Sequence, residues 1–228
     1  MGRLNRWDNC ALCGEYRLTT REHVVPRSLY PSSKSQSKFQ RITIASCSDC
    51  NNGTSDDDAH FRNVILVAGE PNASATELWN GPTRRAFAQV DGVRRAKEIF
   101  ALMERVPELE GERYKIYPAR DERILRTVRK IVRGLSHFHD IQSAVRDDEI
   151  VADVMKYTLP HETIEAMQYH HAEPDVLQYA FVNLGAGPDV HSLWILRFFE
   201  RTNFVAVHFG SSTAAALNSP EICRRLLS

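Results

Sequence analysis

The sequence predicts an α+β protein: a metal-held N-terminal part, then a mixed region of helices and antiparallel strands. Three observations predict it. Two Cys-x-x-Cys pairs, Cys10–Cys13 and Cys47–Cys50, lie in the first fifty of 228 residues. Residues 121–135 carry an apolar stripe at helical spacing. Residues 178–209 hold three segments rich in Val, Phe and Trp, parted by turn residues.

The elements follow in order. Residues 31–41 are serine-rich, polar and basic, which suits a loop. Ile42–Ser46 reads as a short extended segment leading into the second cysteine pair. A helix begins at Asn51 or a few residues later. Gly53 weakens its first turn, whereas Ser55 and Asp56, Asp57 and Asp58 suit an N-terminus, because acids there meet the positive end of the helix dipole. Phe61, Val64, Ile65 and Val67 supply its apolar face.

Residues 70–82 (Pro, Asn, Gly, Ser) read as a loop, and 84–106 as helix with a break at Asp91-Gly92. In 121–135, Ile124, Val128, Ile131 or Val132, and Leu135 make one stripe. Arg123, Arg126, Lys130 and Arg133 make a second, basic stripe, read as a solvated face ahead of a DNA contact. Residues 160–173 fit a helix. Residues 178–184, 192–200 and 203–209 read as consecutive antiparallel strands, and 219–227 as a short helix. A boundary near residue 66 divides a cysteine module, 1–66, from an α+β region, 67–228, suited to substrate selection or dimerisation.

Hydrophobic content of 43% and charged content of 25% are ordinary for a globular protein. No apolar run approaches the ~20 residues of a membrane span, and the start lacks the apolar core of a signal peptide. These features point to a cytoplasmic protein without membrane partners. A net charge of zero argues against a generic nucleic-acid coat protein. Charge is nonetheless uneven: Arg3, Arg6, Arg17, Arg21, Arg27, Lys34, Lys38 and Arg41 outnumber Asp8, Glu15, Glu22 and Asp49 near the N-terminus. Such a local basic surface can bind phosphate, and Arg27, Lys34, Lys38 and Arg41 are its candidates.

In a reducing compartment the paired cysteine spacing favours metal over disulfide. Four thiolates from Cys10, Cys13, Cys47 and Cys50 make a tetrahedral cage that suits structural Zn²⁺. Binding must offset closure of a loop of roughly thirty residues. Cys223 stands alone and reads as a plain helix thiol. His137-Phe138-His139 and His170-His171 lack partners at metal-ligand spacing and read as surface or structural residues.

Between and after the pairs lie Glu22-His23-Val24-Val25-Pro26 and Asn51. Cys-x-x-Cys, Glu-His-Val-Val-Pro and Cys-x-x-Cys-Asn together resemble the four-cysteine, treble-clef type of HNH, or ββα-metal, endonuclease, over residues 10 to about 62. The resemblance implies a ββα-metal module and hydrolysis of phosphodiesters, with DNA ahead of RNA. It makes His23 the general base, and gives Glu22 and Asn51 to a catalytic Mg²⁺ or Mn²⁺. The final histidine of many HNH motifs is missing, since Ser55 stands there. Asp58 and His60 are candidate extra ligands. Neighbours on a straight strand face opposite ways, so Glu22 and His23 share a site only if the backbone bends. The competing expectations are a non-catalytic zinc-knuckle binding module and an RNA-cleaving toxin or defence nuclease. A homodimer would place two sites on two strands.

Overall fold

The computed structural model describes residues 5–37, 39, 41–53, 55–68, 72–102, 104–105, 116–117, 121–155, 158–185 and 190–210. The fold is mixed α+β with antiparallel sheets. β1 (Arg6–Asn9), β2 (Tyr16–His23) and β3 (Thr43–Cys47) form a three-stranded sheet in that order. The first cysteine pair sits in the turn between β1 and β2, where Gly14 takes φ +77°, a conformation that side chains disfavour. Cys47 ends β3, and Cys50 lies in the short helix α1 (Ser48–Asn52).

α2 (Ser55–Ala68) opens on the three aspartates, as their affinity for a helix N-terminus requires. It runs unbroken past residue 66, and Phe61 on it is fully buried. The Phe61 ring packs edge-on against Phe198 at 5.0 Å and lies 5.7 Å from Phe204. Side chains from both sides of the expected boundary therefore share one core.

The expected loop at 70–82 contains α3 (Ala73–Leu78), whose first turn is capped by Asn72 accepting from the Ala75 amide at 2.9 Å. A π-turn, Trp79–Thr83, leads into α4 (Arg84–Phe87). The next helix, α5 (Val90–Ala101), starts after a break at Ala88-Gln89, ahead of the expected Asp91-Gly92. β4 (Glu104–Arg105) and β5 (Ile116–Tyr117) pair with each other.

α6 (Glu122–Phe138) carries the predicted stripe: Ile124, Val128, Ile131, Val132 and Leu135 are at most 1% exposed. Asp121 caps it, accepting from the Arg123 amide. Gly134 lets the helix meet β2's end, because a Cβ there would lie 2.9 Å from both Val24 γ-carbons. The basic stripe is solvated only in its first half: Arg123 and Arg126 are half-exposed, whereas Lys130 is buried and Arg133 nearly so. Arg126 pairs with Asp57 at 2.8 Å and Lys130 with Asp58 at 3.2 Å, so the stripe meets the acidic start of α2. Helical spacing shows that charges share a face but not what packs against it.

The larger sheet has five antiparallel strands in the order β6 (Ile150–Val154), β10 (Thr202–Phe209), β9 (Val190–Phe198), β8 (Leu177–Asn183), β7 (Gln168–Glu173). The last three sequence segments form strands as expected. Residues 160–173 do not form one helix: α7 covers only His161–Ala166, and 168–173 is the edge strand β7. Pairing with β8 overrides the local helical preference there. One face of this sheet, with Trp194, Leu196, Phe198, Phe204 and Ala206, belongs to the same core as α2 and α6. Lys38, Cys223 and the expected helix 219–227 lie outside the described residues. Among the described residues, no helix is long and apolar enough to cross a membrane.

His208 on β10 is 1% exposed, and neither ring nitrogen has a hydrogen-bond partner among the described residues. Burial, reinforced by His191 4.9 Å away and opposed by Glu149, pushes its pKa down to about 4. The unfolded chain therefore takes up this proton near pH 6.5, before the folded protein does. The contribution is fully present above pH 6.5 and falls away as the pH drops toward 4. Wild-type protein should lose about 2–3 kcal/mol more stability between pH 7 and 4.5 than His208→Leu does. Urea midpoints at the two pH values check this.

Candidate functional site

The four cysteine sulfurs all lie within 4.8 Å of one another, close enough to hold one metal ion. The Cys13 and Cys47 sulfurs are 3.9 Å apart. A tetrahedron of thiolates about 2.3 Å from zinc has edges of about 3.8 Å, so the donor set fits such an ion. Burial works against ionising Cys10, yet the amides of Cys47, Cys13 and Leu12 bring its thiol down to about 6. Burial and the neighbouring sulfurs push Cys50 up. Four sulfurs this close cannot all ionise without a cation among them, which is the condition a metal relieves.

The first cysteine turn is braced from α6. Arg133 donates through Nη2 to the Leu12 carbonyl at 2.8 Å and through Nε to the Val145 carbonyl at 2.6 Å. The Ala144 amide donates to the Ala11 carbonyl at 3.0 Å. The last turn of the basic stripe thus orients the loop that carries Cys10 and Cys13.

β2 pairs with β3 without a register shift, from Thr19 opposite Cys47 to His23 opposite Thr43. The strand stays straight, so its side chains alternate: Thr20 and Glu22 face one side, Arg21 and His23 the other. Asn51 reaches the first side, where its Nδ2 donates to Thr20 Oγ1 at 2.9 Å. That bond uses the amide nitrogen and leaves the amide oxygen as an acceptor. Glu22, 8% exposed, is on the same side, with Lys130 Nζ 2.6 Å from its Oε1. The same ammonium is 3.2 Å from Asp58 Oδ2. Asp58 Oδ1 is buried and has no hydrogen-bond partner among the described residues. Burial raises the pKa of both carboxyls, and Lys130 opposes it in each case.

Glu22 and Asp58 therefore meet beside β2 with the Lys130 cation between them, and Asn51 lies on the same side of the strand at Thr20. The sequence stripe contained Lys130 but gave no sign that it turns inward. His60 is not with them, since its Nε2 pairs with Asp121 Oδ2.

Comparison of the chain with known proteins finds no match to a protein family, a curated protein or a solved structure. Function rests on the chemistry of the site itself.

On the opposite side of β2, His23 is half-buried and its Nδ1 has no partner among the described residues. Burial, then the guanidinium groups of Arg27, Arg41 and Arg21, lower its pKa. The ring is neutral at pH 7 and lies in the field of three cations. Arg41 lies 4.3 Å over the face of Tyr30, which fixes one of them. Lys34 is otherwise engaged: it pairs with Asp175 at 2.9 Å and lies 3.7 Å from Glu173, tying the serine-rich segment to the β7–β8 turn. Of the four phosphate candidates, Arg27 and Arg41 act electrostatically on His23, Lys34 braces the larger sheet, and Lys38 is outside the described residues.

Proposed function

We propose that this protein is an HNH-type endonuclease that hydrolyses phosphodiester bonds in nucleic acid, DNA ahead of RNA. The observation that carries the reading is His23: a neutral imidazole with a buried, unpartnered Nδ1, in the field of Arg27, Arg41 and Arg21, on a strand that abuts the four-cysteine cage. Neutral imidazole accepts a proton from water, and guanidinium groups hold the phosphate it would attack. The cage is a structural Zn²⁺ site in a treble-clef-like module that holds β2 and α1 together. A hard divalent ion suits the oxygens of Glu22, Asn51 and Asp58. When bound, Mg²⁺ or Mn²⁺ supplies charge stabilisation to the phosphoryl group. Lys130 must give up part of its hold on Glu22 and Asp58 for that ion to enter. Glu22 and His23 face opposite sides of β2, so this reading requires the end of the strand to bend for both to act on one phosphate.

Lys130 also favours a second reading, a zinc-held nucleic-acid-binding module without catalysis. Its ammonium already pairs with both acids and occupies the space between them, so the fold holds them together without a divalent ion.

Plasmid, linear duplex, branched DNA and RNA incubated with metal-loaded protein, with and without Mg²⁺ or Mn²⁺, separate the two. Wild type should cut only with the divalent ion. His23→Ala should lose at least about a hundredfold in rate while its zinc content and melting temperature hold. Undiminished cutting by His23→Ala refutes the assignment of the base. Binding with no cutting by wild type selects the second reading, and cutting confined to RNA corrects the substrate.

A further inference from the structure

The face of the larger sheet turned away from α6 carries a ladder of polar side chains across four strands. His171 on β7 stands opposite Gln178 on β8, Gln178 opposite Arg197 on β9, and Arg197 opposite Asn203 on β10. Directly opposed residues point to the same side, about 5 Å from one another. An apolar row, Tyr169 opposite Ala180 and Ala180 opposite Ile195, runs beside it. The two rows floor an open cleft of about 620 Å³. Among its described lining residues Arg197 is the one formal charge, and there is no carboxylate.

The cleft's side chains are held in place. Tyr169 is 65% exposed, yet its hydroxyl donates to the Ile164 carbonyl at 3.1 Å, so the ring is fixed with its face open. Arg197 donates through Nε to Asn203 Oδ1 at 3.1 Å, which leaves its Nη donors for a ligand. Gln178 donates through Nε2 to the Pro174 carbonyl at 3.0 Å, which leaves its amide oxygen. Phe39, 45% exposed, meets the edge of His171 at 5.2 Å. Phe39 is two residues from Arg41, so the aromatic row continues in sequence toward the cations around His23.

We infer that this cleft binds a single-stranded stretch of nucleic acid, with bases stacked on Tyr169 and His171 and a phosphate on Arg197. An exposed aromatic face can take any base, but only when that base is unpaired. Fixed amides at Gln178 and Asn203 meet base edges, and the described lining residues carry no acid to repel the backbone. A duplex hides its base faces and has no use for this row. The inference rests on the nuclease reading for the class of ligand, and its test reads binding alone.

The experiment is fluorescence anisotropy of a short labelled oligothymidylate against a duplex of equal length, on zinc-loaded full-length protein without Mg²⁺ or Mn²⁺. The single strand should bind more tightly than the duplex. Tyr169→Ala and Arg197→Ala should each weaken it about tenfold. Tyr169→Phe, which keeps the ring, should stay within about twofold. Melting curves show that the variants are folded, and if Tyr169→Ala is not, Arg197→Ala decides. No binding to the single strand, equal binding to the duplex, or unchanged affinity in the folded variants overturns the inference. Protein that binds through Tyr169 yet cuts nothing refutes the nuclease and leaves this surface standing. Protein that cuts duplex but ignores single strands does the reverse.

Discussion

Lys130→Met should destabilise the protein by about 3–5 kcal/mol at pH 7, the cost of leaving buried carboxylates without their counter-ion. Lys130 is 4% exposed and lies between Glu22 and Asp58, the first also nearly buried. Methionine fills the stem's volume, so packing is largely kept and the loss is electrostatic. Without the ammonium both acids favour their protonated form in the folded state. A carboxyl whose folded pKa is raised stabilises at low pH and loses that contribution as pH rises, so the deficit should narrow as pH falls from 7 toward 5. Adding Glu22→Gln should recover part of it. Urea unfolding at the two pH values checks both statements, and a loss below about 1 kcal/mol would mean that the pair is weaker than its burial implies. The same variant probes the proposed catalytic ion. If Glu22, Asn51 and Asp58 hold Mn²⁺, that ion should raise the melting temperature of Lys130→Met more than that of wild type, because a ligand stabilises in proportion to its occupancy.

Stripping the metal should have the larger effect. A structural zinc contributes about 10–16 kcal/mol in small domains, more than the whole stability of a typical fold. The protein should contain one equivalent of zinc, released on blocking the cysteines. Cys47→Ser, or chelation, should melt the sheet of β1, β2 and β3 with α1, and residues 5–53 should become open to protease. Cys47 is the telling position because its amide donates to Cys10 Sγ at 3.4 Å while its sulfur faces Cys13. Unchanged proteolysis and melting after complete removal of the ion would show that hydrogen bonds alone hold the cage.

Much of the architecture was legible where a pattern has one physical solution. The apolar stripe of α6 fits only a helix with one buried face, and the Val-, Phe- and Trp-rich segments became β8, β9 and β10. The paired cysteines meet as their spacing requires. What could not be read depends on partners distant in sequence. Gln168–Glu173 is a polar stretch that becomes a strand because β8 offers it an edge. Lys130 looks like any surface lysine until α2 brings Asp58 against it. The sides of β2 taken by Glu22 and His23 follow from a register set by β3, twenty residues downstream. The site divides the same way. The four-cysteine cluster was legible, but the cation between Glu22 and Asp58, the opposite sides taken by Glu22 and His23, and the exposed ring of Tyr169 needed the fold.

One helix spans what the cysteines hold and what the large sheet buries. Asp58 and Phe61 are less than a turn apart on α2, so the carboxylate beside Glu22 is aimed by an aromatic ring wedged between Phe198 and Phe204. Trimming the chain at residue 66 would bare Phe61, Val64 and Ile65 to water and unseat that acid. The four-cysteine end is thus not a detachable cartridge: its alignment is borrowed from a hydrophobic anchor supplied by β9 and β10.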